Sequence, residues 1–100
     1  MEIDRNSAEV WASWFRCLGD PSRVLLLNCL ATASGPMTVG ELVDRVDIGQ
    51  STVSHHLKVL RQAGLLASER RGSWVYYRVI PQALQRLSDV LGAQQLIGGR

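Results

Sequence analysis

Between Thr38 and Val79 the chain carries two short segments with helical apolar spacing, separated only by Asp47-Ile48-Gly49, and then a basic, aromatic stretch whose period drops to two. Few folds satisfy that order. Thr38 and Glu41 stand at capping-box spacing, with Met37 and Leu42 placed as a hydrophobic staple, so a helix is predicted to start at Val39 and run through Leu42, Val43 and Val46. Three residues then leave room only for a turn between packed helices. The next helix is predicted from Gln50 to Ala63, closed by Gly64. From Leu65 onward Trp74, Tyr76 and Arg78 alternate with Val75, Tyr77 and Val79, and Arg71-Gly72-Ser73 supplies the turn of a hairpin.

The flanks complete a single domain. Asn6 and Glu9 resemble a capping box ahead of Val10, Trp11, Trp14, Phe15 and Leu18, a first helix ending at Gly19. Asp20-Pro21 reads as an N-cap with proline at the first helical position, and Val24 to Ala31 is apolar almost all round, which predicts a central helix buried on most sides. Thr32 to Met37, with Ser34-Gly35-Pro36, reads as a loop. Pro81 opens a last helix whose Ala83, Leu84, Leu87, Val90 and Leu91 form one stripe, and residues 93–100, with Gly98-Gly99, are expected to fray. The expected fold is mainly α with a β-hairpin wing, in the order α-α-α-α-β-β-α. This is a winged helix-turn-helix over residues 1–92.

One hundred residues can bury roughly 65% of their unfolded surface, enough for one modest core. No apolar run approaches the ~20 residues of a membrane span, and Met1-Glu-Ile-Asp-Arg is unlike a signal peptide, so a cytoplasmic location without membrane contact is expected. In that reducing setting Cys17 and Cys29 are read as free thiols. Charge is uneven. Residues 1–49 carry four basic and seven acidic groups, whereas residues 50–78 carry Lys58, Arg61, Arg70, Arg71 and Arg78 against Glu69 alone. Positive potential is thus concentrated on the second helix of the motif and the hairpin.

With Val53, Leu57 and Leu60 set inward at 100° per residue, the opposite face of that helix presents Ser51, Ser54, His55, Lys58 and Gln62. Short polar groups, an imidazole, an amide and one ammonium can approach base edges and phosphates without steric bulk. Gln50, Ser51 and Thr52 occupy the helix N-terminus, where backbone amides favour phosphate oxygens. Arg70 and Arg71 beside the glycine tip suit an adjacent minor groove or backbone. The plain alternative, a solvated helix face with a charged hairpin tip, is outweighed by position within the motif. Double-stranded DNA is the expected partner.

Three separated words, Phe15-Arg-Cys-Leu-Gly-Asp-Pro-Ser-Arg23, Gln50-Ser-Thr-Val-Ser-His-His-Leu-Lys-Val-Leu60, and Ala63-Gly-Leu-Leu66 with Gly72-Ser-Trp-Val-Tyr-Tyr77, resemble the ArsR/SmtB type of arsenical-resistance repressor. The resemblance spans residues 10–91. It implies a small dimeric winged-helix repressor released from an inverted-repeat operator by a metal, metalloid or other signal. The recognition helix is expected to have Gly49 as its N-cap where the family commonly has serine. The family's Cys-x-Cys pair on the third helix falls here on Thr38 and Gly40, and residues 81–100 hold Asp89 with no histidine or glutamate to match the zinc and nickel sites. Neither familiar metal site carries over.

Cys17 and Cys29 are the only soft ligands, so a thiophilic metal, metalloid or oxidant would act there; the bland reading is that both are small core residues. His55 and His56 are adjacent, so their side chains diverge on a helix, which disfavours chelation of one ion by the pair; His55 is read as facing DNA and His56 as sitting at the core edge. Trp11, Trp14, Leu84, Leu87 and Leu91 form an apolar surface too large for the monomer to cover, which predicts a homodimer through the first and last helices. A winged helix serving protein assembly is the alternative function, and it would carry a less basic, more apolar face. No phosphate loop, paired catalytic acids or activated nucleophile suggests an enzyme.

Overall fold

A computed structural model describes residues 2–92; the tail expected to fray lies outside the described residues. The element order is α1 (Arg5–Cys17), α2 (Pro21–Thr32), β1 (Met37–Thr38), α3 (Val39–Arg45), α4 (Gln50–Gln62), β2 (Leu66–Arg71), β3 (Trp74–Val79) and α5 (Pro81–Val90). It is the winged helix-turn-helix expected, with three departures.

The first is an extra strand. Met37 and Thr38 pair antiparallel with Tyr77 and Tyr76, so the sheet is three-stranded in the order β1-β3-β2 and not a two-stranded hairpin. Two residues are too few to show a period, and their partner lies far along the chain. The second concerns α1, which begins before Asn6. Asp4, in extended conformation, caps it by accepting from the Ser7 amide at 2.8 Å. The third concerns α2, whose buried residues are Leu26 and Leu30 only; Val24 and Leu25 are about half exposed. α2 packs against α3, α4 and β3, and among the described residues Val24 and Leu25 are left uncovered.

Elsewhere local chemistry sets the boundaries as expected. Thr38 and Glu41 form a reciprocal capping box, with Met37 and Leu42 both buried beside it. Asp20 caps α2 through the Ser22 amide ahead of Pro21. Gly64, at φ +90°, ends α4 in a conformation that other residues adopt only under strain, and the Leu65 amide returns to the Leu60 carbonyl. Gly72, at φ +62°, opens the two-residue hairpin turn before Ser73.

The core comprises Leu26, Leu30, Met37, Leu42, Val53, Leu57, Leu60, Leu65 and Leu66, joined by Cys17 and Ala83. Neither α1 nor α5 is among the extensively packed element pairs. Truncating Leu57, which is fully buried, to alanine is expected to lower stability by about 2–5 kcal/mol, and Thr38→Ala by about 1 kcal/mol, both measured by urea unfolding.

Hydrogen bonds from the Ser7 and Ser22 amides hold the Asp4 and Asp20 carboxyls below the ordinary aspartate range. A depressed folded-state pKa stabilises the fold above the unfolded pKa and ceases to do so as pH falls through the folded value. Stability measured across pH is therefore expected to decline below about pH 4, and less steeply in the Asp4→Asn, Asp20→Asn variant, whose caps do not titrate.

Candidate nucleic-acid interface

α4 is oriented by its apolar side. Val53, Leu57 and Leu60 are fully buried and His56 is 7% exposed, which leaves Gln50, Ser51, Thr52, Ser54, His55, Lys58 and Gln62 in solvent. Every residue assigned from the sequence to the outward face of α4 is exposed. Arg61, in the last turn, is exposed as well and adds a cation to the helix end. Gly49 caps α4 with an extended backbone but no side-chain hydrogen bond. The first-turn amides of α4 therefore keep their donor capacity for an external acceptor.

The two wing arginines are not equivalent. The register pairs Arg71 with Trp74, Arg70 with Val75 and Glu69 with Tyr76. Cross-strand partners share a face, so Arg71, Glu69, Trp74 and Tyr76 project to one side of the hairpin and Arg70 to the other. Arg71 is engaged: its Nε donates to Glu69 and its guanidinium lies 4.9 Å over the Tyr76 ring. Arg70 meets no carboxylate among the described residues and is the freer cation. Trp74, which the sequence reading passed over, is 64% exposed at the start of β3. The usable signal was its place directly after the hairpin turn, where an indole has no core to enter.

Behind the exposed face, Arg23 of α2 joins three elements. Its Nε donates to the Cys17 carbonyl at the end of α1 at 2.5 Å, and its Nη1 lies 3.3 Å from His56 Nδ1. A guanidinium has no acceptor, so this contact is a hydrogen bond when His56 Nδ1 accepts. Arg23→Ala removes both contacts beneath α4 and is expected to reduce stability by about 1–3 kcal/mol in urea unfolding. An unchanged unfolding midpoint would show the bridge to be energetically idle.

The adjacent histidines point apart in environment, His55 exposed and His56 buried, with ring centroids 5.7 Å apart. Among the described residues no three histidine, cysteine or acidic side chains converge as a metal site. Both cysteines are free. Cys17 is buried in the core and desolvation pushes its thiol up, which opposes thiolate chemistry; Cys29 is half-buried. A maleimide is expected to label Cys29 in the native state and Cys17 only on unfolding, read by peptide mass. Equal native labelling would contradict the burial of Cys17.

On the helical side, Trp14 and Leu87 pack partly on their own core, and Trp11 and Trp14 meet edge to face at 5.0 Å. Trp11 and Leu84 are half-buried, and Leu91 is 61% exposed. Val10 and Phe15, next in sequence to the predicted pair of tryptophans on α1, are exposed as well.

A recognition helix held by its apolar face, a preceding helix in tight-turn contact and a basic hairpin define a winged helix-turn-helix DNA-binding transcriptional regulator, not an enzyme. The sequence profile described as bacterial regulatory protein, arsR family, matches residues 20–68. The chain belongs to the ArsR family. It is 32% identical over 87 residues to an HTH-type transcriptional regulator of Methanocaldococcus jannaschii, covering 87% of this chain and 92% of that one. It is 34% identical to the transcriptional repressor SdpR of Bacillus subtilis, over 71% of this chain and 77% of the relative. Among solved structures, the transcriptional repressor BigR from Xylella fastidiosa superposes with a TM-score of 0.68 at 31% identity, covering 90% and 91% of the two chains.

Proposed function

We propose that the chain acts as a homodimeric repressor whose two α4 helices enter successive major grooves of an inverted-repeat operator, in one DNA-binding and dimerisation domain over residues 1–92. In each protomer Gln50, Ser51, Thr52, Ser54, His55, Lys58 and Gln62 meet base edges and phosphates, and Arg70, with Arg71 beside it, reaches the neighbouring groove. The single observation that carries this reading is the exposure of that polar face opposite a fully buried apolar one. The +4 balance of residues 50–78 supports it and runs against an assembly module.

Dimerisation is supported by the apolar surface of α1 and α5. Trp11, Trp14, Leu84, Leu87 and Leu91 contribute to it, with Val10 and Phe15 alongside. A two-fold dimer sets equal recognition helices about 34 Å apart, one helical turn of DNA. An effector releases the operator by favouring a dimer geometry with the wrong spacing, a coupling of typically 1–3 kcal/mol. Where that effector is a thiophilic metal, metalloid or oxidant, Cys29 is the accessible thiol and Cys17 the shielded one. No helix among the described residues is long and apolar enough to cross a membrane, which accords with a cytoplasmic repressor.

Fluorescence anisotropy on duplex DNA from upstream of the gene tests this. The wild type is expected to bind and to sediment as a dimer at micromolar concentration, and Ser54→Ala, His55→Ala to lose sequence preference while remaining folded. Arg70→Ala is expected to weaken all duplexes and to lower the log-log salt slope by about one. A monomer, or a double variant with unaltered preference, would overturn the assignment. Arsenite or oxidant that releases the wild type but not Cys29→Ser would place the effector at that thiol.

A further inference from the structure

Trp74 is unexplained by either the core or the proposed dimer. Among the described residues it is the most exposed of the large hydrophobics, at 64%, and it sits on the wing, whereas the others lie on α1 and α2, just before α1 or just after α5. It lines a cleft of about 410 Å³ with Val75 of the wing, Thr38, Val39 and Gly40 around the start of α3, and Gln50 at the head of α4. The cleft is left open by small residues: a Cβ added to Gly40 would meet only the Thr38 hydroxyl, at 4.0 Å.

The position of this cleft determines what can fill it. A helix in the major groove and a wing in the adjacent minor groove necessarily straddle one sugar-phosphate strand, and the protein surface between them must receive it. The cleft joins those two elements. We propose that it seats the DNA backbone between the grooves, with Trp74 as a DNA-contacting residue: the indole ring covers a deoxyribose, while the indole N–H and the Gln50 amide donate to phosphate oxygens. This assignment rests on the DNA-binding reading above. Its chemistry matches the ligand. An indole offers a large apolar face and a single donor, and a backbone strand offers apolar sugars alternating with acceptor oxygens. Arg71, the cross-strand partner of Trp74, stands at the same edge with its charge held by Glu69.

Because the contact is to sugar and phosphate and carries no charge, its loss has a signature distinct from that of an arginine. Trp74→Ala is expected to weaken specific and non-specific duplexes alike, by about tenfold, without changing the salt slope. Trp74→Phe, which keeps the apolar face, is expected to recover most of that loss. The test compares wild type, both Trp74 variants, Arg70→Ala and Ser54→Ala, His55→Ala by anisotropy at several salt concentrations, with sedimentation of each. Acrylamide quenching, taken as wild type minus Trp74→Phe, is expected to fall when DNA is saturating.

Wild-type affinity in a folded Trp74→Ala protein, with Ser54→Ala, His55→Ala impaired, would overturn the cleft assignment and leave the functional reading intact. Loss confined to the cognate duplex would replace backbone contact by base reading and overturn it too. A shift from dimer to monomer in Trp74→Ala would make a second copy of the chain the occupant. Failure of the wild type to bind any duplex would remove the functional reading itself.

Discussion

Burial of the Val53, Leu57 and Leu60 face of α4 is the constraint on which the rest of the molecule depends. All three side chains are fully removed from solvent, together with Leu26 and Leu42 of the neighbouring helices. Each contributes roughly 1.5–3 kcal/mol relative to exposure, so rotating α4 by one residue would exchange these apolar groups for Ser54, Lys58 and Arg61 at a cost comparable with the whole stability of a small domain. The outward presentation of Ser51, Ser54, His55 and Lys58 is therefore a by-product of core packing. Surface chemistry is positioned by residues that never touch a ligand.

The same core leaves the outer helices incompletely satisfied. α1 and α5 bury little against the remainder of the chain, and α2 leaves Val24 and Leu25 about half exposed. An apolar surface of this kind in a 100-residue chain is a reason to associate. Arg23 gives that side of the molecule a direct connection to the recognition helix, since one guanidinium holds both the Cys17 carbonyl at the end of α1 and the His56 ring in α4. This short, donor-specific contact ties α1 to α4 beside the packing of Cys17 and Trp14 on the core.

The wing shows how strand alternation sorts residues of identical type. Arg70 and Arg71 are neighbours in sequence and opposites in the sheet, one free of ionic partners among the described residues and the other held by Glu69 and Tyr76. Affinity for a polyanion follows the number of cations available to it, so equal counting of the two would overstate the wing. Trp74 contributes by a different physical route, through area and a single N–H.

Most of the fold was legible in the residues themselves. The capping box at Thr38 and Glu41, proline after Asp20, glycine at 64 and 72 and the apolar spacings of α3, α4 and α5 act within a few residues of one another, so local chemistry alone sets those elements and their boundaries. The polar face of α4 was legible for the same reason, because a helix of known period has only one side opposite its apolar stripe. Tertiary structure decided what depends on distant partners. Met37 and Thr38 become a strand only against Tyr77 and Tyr76. Val24 and Leu25 stay exposed because no other described part of the chain covers them, and Arg71 is separated from Arg70 by a register that the linear order does not contain. Sequence determined each element through short-range hydrogen bonds and periodicity; which side chains remained free to act was settled by long-range packing.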